Sequence, residues 1–210
     1  MKKILWISLA ILLSSCGSMR VVDSWKNDDV LFFKPKKLLV VGVTDNLTAR
    51  KIFEQKLKNE FQNRNIIAVE STTIFETSFT DTKQTETEIQ KMISGLSDKG
   101  FDAVIISVVK GVDDRRNYSQ GYYSIGYNWT RFGRYYYRYQ DIYYTQGYYN
   151  EYSVYHVETS LYNINEESDK SLVWVGAIDL FNPQSISGTV DEYVTVLMRQ
   201  LEKENVITNR

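Results

Sequence analysis

The chain has 210 residues, with 25 basic and 26 acidic side chains, a formal net charge of −1, and 43% hydrophobic and 14% aromatic residues. That length suffices for one domain with its own core, and so even a charge balance leaves no basic excess to hold phosphates, which sets nucleic acid aside as a partner. A single cysteine and a single histidine make neither a disulfide framework nor a zinc-ligand set, and no cofactor-binding motif is found.

Lys2 and Lys3 form a positive n-region, Ile4 to Leu13 an apolar run, and Ser14-Ser15 the small residues that precede a signal-peptidase cut. The run is shorter than the roughly 20 apolar residues that span a bilayer. Leu13-Ser14-Ser15-Cys16 resembles the lipobox of bacterial lipoproteins, in which the cysteine thiol receives a diacylglycerol and becomes the new amino terminus. The resemblance makes residues 1–15 a signal peptide, Cys16 the lipidation site, and the membrane a partner through the anchor. Gly17, in place of aspartate, and the lack of an acidic run after Cys16 imply the periplasmic face of the outer membrane. Two or more acyl chains hold a protein stably where one does not. Removing Lys2 and Lys3 takes the charge from −1 to −3, and acylation of Cys16 leaves the mature chain without a thiol.

Residues 16–36 read as a lipidated tether with a short apolar segment, and 37–207 as a single domain. Lys37 to Thr44 is a β-branched apolar run, as in a strand buried on both faces. Asp45-Asn46 offers an N-cap, Ala49, Phe53, Leu57 and Phe61 share one helical face, and Asn65 closes the helix before the strand Ile66 to Val69. Residues 71–84 read as a loop. Thr85 to Glu88 has capping-box spacing, Ile89, Met92, Ile93 and Leu96 make the next buried face, and Gly100 follows its end. Phe101 to Val109 is a third strand; Tyr155 to Leu161 and Leu172 to Ile178 read as an antiparallel hairpin. Thr189 to Glu192 repeats the capping-box spacing before a last helix, with Val190, Tyr193, Val194, Leu197 and Leu201 on one face. The fold class expected is α/β (α+β), a mixed sheet of about five strands with three main helices in the order β-α-β-α-β-insert-β-β-α.

The insert, residues 117–150, breaks the pattern. Thirteen of the sixteen tyrosines lie between Tyr118 and Tyr152, and the insert's charged residues are Arg131, Arg134, Arg138 and Asp141. Neither helix nor strand period holds across it. Rigid rings with small adaptable residues resemble the chemistry of a paratope, and tyrosines also suit sugar faces and membrane interfaces. Tyr122, Tyr123, Trp129, Arg131, Arg134, Tyr135, Tyr136, Tyr137, Arg138, Tyr148 and Tyr149 are therefore the binding candidates, toward an envelope protein or glycan.

Lys37 to Thr44, Gly100 to Val104, Val157 to Tyr162, Leu172-Val173-Trp174 and Asn182-Pro183-Gln184-Ser185 resemble a domain family of bacterial lipoproteins that often carries a tyrosine- and glycine-rich stretch before its penultimate strand. More remotely the layout is similar to the curli-secretion lipoprotein and the TolB amino-terminal domain. The resemblance implies an α/β fold and supplies no catalytic residues.

No nucleophile elbow, phosphate loop or paired-histidine motif is found. His156 and Glu158 share a strand face and Asp179 ends the next strand; ordinary outward-facing polar positions account for them. Asp113-Asp114-Arg115-Arg116 sits at the carboxyl edge of the third strand, where open α/β sheets bind ligands, although a salt-bridged, solvated turn accounts for it; Gly42 with the turn at Asp45-Asn46 offers helix amides to an anion, as nearly every βα unit does. The expected function is a non-catalytic binding or assembly role in the cell envelope through the insert. The alternatives are a glycan hydrolase using Glu158 with Asp179 or the Asp113-Asp114 edge, and a subunit of a secretion or adhesive assembly.

Overall fold

Six strands form one mixed sheet in the computed structural model, which describes residues 18–31, 33–114, 131–143, 153–166 and 171–207. They are β1 (Met19–Lys26), β2 (Lys37–Val43), β3 (Ile67–Glu70), β4 (Ala103–Asp114), β5 (Ser153–Asn163) and β6 (Leu172–Phe181). The α-helices of the described residues are α1 (Leu47–Gln62), α2 (Thr77–Asp81), α3 (Glu86–Asp98), α4 (Phe132–Tyr139) and α5 (Ile186–Lys203). The strand order is β1-β6-β5-β4-β2-β3. β2 pairs in parallel with β3 and β4, and the β4-β5, β5-β6 and β6-β1 pairs are antiparallel.

The apolar runs at β2 and β4 are buried on both faces because helices cover both. Leu38, Val40, Ala103 and Ile105 point toward Phe53, Leu57 and Phe61 of α1 and Val194, Leu197 and Leu201 of α5. Leu39, Val41, Val104 and Ile106 point the other way, toward Ile89 and Leu96 of α3 and Phe132, Tyr135 and Tyr136 of α4. A three-layer α/β/α arrangement results. The punctuation follows the local chemistry: Asn46 Oδ1 accepts from Ala49 N at 2.9 Å, Thr85 and Glu88 close a reciprocal capping box, and Asn65 (φ 59°) and Gly100 (φ 78°) take left-handed conformations after their helices.

Four features depart from the sequence expectation. β1 lies inside the segment read as a tether and becomes the sheet's edge; a bulge between Val21 and Asp23 puts Trp25 on the face opposite Met19 and Val21, although all three are an even number of residues apart, which breaks the alternation that would reveal a strand. α5 starts earlier, at Ser185, whose Oγ accepts from Gly188 N at 3.2 Å. The loop before α3 contains the short helix α2. The insert contains α4, which packs closely on α3: a Cβ at Gly133 would stand 2.8 Å from Ile93 Cδ1.

Trp174 in β6 is wholly buried, and its indole lies across Gly176 two residues on, with Nε1 donating to Glu204 Oε2 at 2.5 Å. A Cβ at Gly176 would fall 2.6 Å from Trp174 Cζ2, too close for any packed pair. Gly176→Ala should lower stability by about 1–3 kcal/mol, read as a fall in the urea midpoint at unchanged slope.

Candidate functional site

β2 ends at Val43 and α1 follows through the Asn46 cap, while α5 starts just after β6; between these two helix starts lies a cleft of about 410 Å³. It stands at the carboxyl edge of the parallel strands, where α/β sheets bind ligands. Its walls are chiefly Val43, Phe53, Val109, Val157, Leu180 and Val190, with half-exposed Ile186 at the rim. Gly42 contributes bare backbone, against which Phe53 packs: a Cβ there would stand 3.1 Å from Phe53 Cδ1.

Two of the cleft's buried polar groups, Ser107 and Tyr193, join a chain of three hydroxyls from β4, β5 and α5. Ser107 Oγ and Thr159 Oγ1 are 2.5 Å apart, as are Thr159 Oγ1 and Tyr193 Oη. Each hydroxyl holds one proton and two lone pairs, so the three satisfy one another inside an apolar wall. Burial pushes the Tyr193 phenol up to about 12, against the pull of its Thr159 and Ser107 hydrogen bonds.

Beside the cleft, α1 is bolted to the sheet by a buried carboxylate. β3 stops at Glu70, opposite Val40, so Gly42 has no β3 neighbour. Glu54 fills that place: Oε1 accepts from Gly42 N at 2.9 Å, Arg50 Nε at 3.1 Å and Ser71 Oγ at 2.6 Å, and Oε2 from Thr72 N at 2.9 Å. Arg50 also donates to Ser71 Oγ at 2.9 Å and lies 4.9 Å from the Tyr143 ring centre. Burial alone would lower the Arg50 pKa; Tyr143 and Glu54 outweigh it and hold it above the ordinary value. The guanidinium is thus turned from the cleft to which Arg50 lends its stem.

The insert divides its binding candidates by face. Phe132, Tyr135 and Tyr136 of α4 are buried on the sheet, and Arg131, Arg134, Tyr137 and Arg138 are exposed. Tyr122, Tyr123, Trp129, Tyr148 and Tyr149, like Cys16, lie outside the described residues. Tyr136 meets Phe75 and Phe79 at 6.1 and 5.8 Å between ring centres. Gln140 takes Gln84 N at 2.6 Å and returns a hydrogen bond to Gln84 O at 2.9 Å, tying the insert to the approach to α3.

Glu158 is buried under α4, not facing outward. Tyr135 Oη donates to its Oε1 at 2.7 Å and Lys110 Nζ to its Oε2 at 3.0 Å, the lysine standing at a bulge of β4 between Val109 and Gly111. Burial opposes the Lys110 charge, but Glu158 prevails and its pKa is raised; burial first, then Glu158, carries the Tyr135 phenol well above its ordinary range. His156 and Asp179 are also buried: Nδ1 lies 2.7 Å from Asp179 Oδ1, and Nε2 3.5 Å from Asp113 Oδ2. The two carboxylates of the hydrolase alternative therefore enter separate contacts, and neither lines the cleft. Alternation along β5 marks His156 and Glu158 as one face; that α4 covers Glu158 is what the alternation does not reveal.

No family model matches the chain, and no curated protein matches it. Among solved structures it is similar to PelC from Paraburkholderia phytofirmans, described as a dodecamer, at 13% identity over 85% of this chain and 94% of that chain, with a TM-score of 0.43. It is also similar to lipoprotein GNA1162 from Neisseria meningitidis, at 13% identity over 80% of this chain and 99% of that chain, with a TM-score of 0.41.

Glu54→Ala would leave the Arg50 charge and the Gly42 and Thr72 amides buried without their acceptor, so a loss on the order of 3–5 kcal/mol is expected in chemical denaturation. The Tyr193 shift gives a pH dependence of definite sign. An unfolded tyrosine ionises near pH ~10, whereas folded Tyr193 keeps its proton to about 12, so its contribution is whole below the first value and lost as pH rises through the second. Tyr193→Phe should flatten the decline in stability across that window by up to roughly 1.4 kcal/mol per pH unit, leaving the share of Tyr135 and Tyr162, whose pKa values are also raised. Denaturation midpoints taken from pH 9 upward check it.

Proposed function

We propose that the protein is a lipid-anchored, non-catalytic binding component of the cell envelope, held through Cys16 at the periplasmic face of the outer membrane, with the cleft between α1 and α5 as the site for a neutral, hydrocarbon-rich ligand. The lining of the cleft carries this reading. Its described residues include no carboxylate, lysine or histidine, and the guanidinium of Arg50 is engaged by Glu54 and Ser71. A cation would find no carboxylate there, and an anion no basic head group beyond the two helix starts, where Asn46 and Ser185 each already accept from one amide; an apolar ligand gives up no strong hydration. The volume lies in the range of small-molecule sites. Walls without an acid–base pair favour holding a ligand over transforming it.

Anchorage rests on the amino-terminal signal, and among the described residues no helix is long and apolar enough to cross a membrane. The exposed row Arg131, Arg134, Tyr137 and Arg138 on α4 favours a second reading of the insert, in which an envelope protein or glycan meets this outer face while Tyr135 and Tyr136 serve as its footing. A secretion or adhesive assembly would use the same row between subunits.

The neutral probe N-phenyl-1-naphthylamine should bind the unacylated mature chain, made as Cys16→Ser, saturably at one site. Val190→Trp, which fills the cleft from α5, should weaken it at least ten-fold with little change in the unfolding midpoint. Binding indifferent to Val190→Trp and to Ala49→Trp would put the probe elsewhere and remove the cleft from the reading.

A further inference from the structure

The start of β1 and the cleft meet at one corner of the molecule. Phe181 N donates to Ser18 O at 2.8 Å, and Ser18 Oγ hydrogen-bonds Glu192 in α5. Ser18 and Met19 line a hollow of about 270 Å³ at the start of α5. That hollow shares Leu180, Pro183, Gln184, Ser185 and Thr189 with the cleft, so the two adjoin along the last strand and the first turn of α5. Cys16 precedes Ser18 by two residues, and at about 3.3–3.6 Å per extended residue its Cα lies within roughly 7 Å of that of Ser18. Any acyl chain on Cys16 is therefore tethered within reach of the hollow that adjoins the cleft.

We propose that the resident occupant of the cleft is one acyl chain of the protein's own Cys16 lipid, an inference that rests on the lipid-anchored, apolar-binding reading above. Length of chain and place of exit single out this occupant: the hydrocarbon is tethered within reach, and its effective concentration at the cleft is set by that tether. The chemistry agrees. An alkyl chain offers no hydrogen bond and asks for none, and the polar groups Ser107 and Tyr193 are already satisfied through Thr159. Inside the cleft it meets Val43, Phe53, Val109, Val157, Leu180 and Val190, and on the way it passes Met19, Phe181 and Leu180 in a hollow that Asn182 and Glu192 also line. Any external apolar ligand must then displace the protein's own lipid, which makes ligand binding and release of an acyl chain to the bilayer one exchange.

The test uses the acylated full-length product in phosphatidylcholine nanodiscs, with a diazirine-bearing fatty acid incorporated metabolically at Cys16. After irradiation, adducts within the same chain are expected on peptides that contain Phe53 or Val190, and at least ten-fold fewer in Val190→Trp or Ala49→Trp protein of wild-type unfolding midpoint. In parallel, unacylated Cys16→Ser protein is irradiated with the free diazirine fatty acid. Adducts in the cleft from the free acid, but only on phospholipid from the attached chain, would overturn self-occupancy and leave the binding reading standing. No cleft adducts in either preparation would overturn both.

Discussion

A sheet that is apolar on both faces must be covered on both, and this requirement shapes the molecule more than any single contact. α1 and α5 close one face. On the other, α3 alone is too narrow for a surface that runs from β2 across β4 and β5 to β6, and α4 supplies the missing cover through Phe132, Tyr135 and Tyr136. The rings are suited to it because a phenol buries a large apolar body and still needs a partner for its hydroxyl. Glu158 gives Tyr135 that partner, and Lys110, brought in by the β4 bulge, neutralises the carboxylate. A buried Tyr-Glu-Lys set is thus the consequence of covering a sheet with tyrosine, and Glu158 is the member that both of the others share.

The cleft arises from the same geometry on the opposite face. Two helices that enter from different strands diverge at their starts, and side chains from the sheet must fill the wedge or leave it open. Glu54 fixes how far α1 can move, since its carboxylate caps Gly42 and Thr72 together. At the floor, where apolar packing would otherwise continue, Ser107, Thr159 and Tyr193 substitute a small self-satisfied hydroxyl group. The outcome is an open, largely apolar space whose floor hydroxyls bond one another, a surface on which hydrocarbon displaces little strongly held water.

How much of this was legible depends on whether one period governs a segment. β2, β4, α1 and α3 were readable because their apolar runs and 3.6-residue faces are uninterrupted, and their caps are written in Asn46, Thr85, Glu88 and Gly100. In α4 the inward set Phe132, Tyr135, Tyr136 and Tyr139 does keep the helical spacing i, i+3, i+4, i+7, but tyrosines on every side hide it. The bulge hides β1, and Thr189 to Glu192 imitates a capping box inside a helix that already starts after Ser185. Burial of Glu158 follows from the cover that α4 supplies through Tyr135, which the alternation of β5 does not record. The cleft needs Gly42, Ser107 and Tyr193 together, residues of three elements far apart in the chain, and no local pattern marks them.

The insert's tyrosines therefore have at least two uses. Part of the set is ordinary core, and counting all of it as contact surface overstates what the insert offers a partner. The surface that remains on α4 is cationic more than aromatic, since Arg131, Arg134 and Arg138 face outward with one ring, Tyr137, on a chain of slightly negative net charge. Guanidinium groups beside an exposed ring favour planar, anionic or hydroxyl-rich surfaces, whereas the cleft favours uncharged hydrocarbon. The proposed ligand cleft and the outer face of α4 lie on opposite faces of the sheet and differ in chemistry, so no residue need serve both.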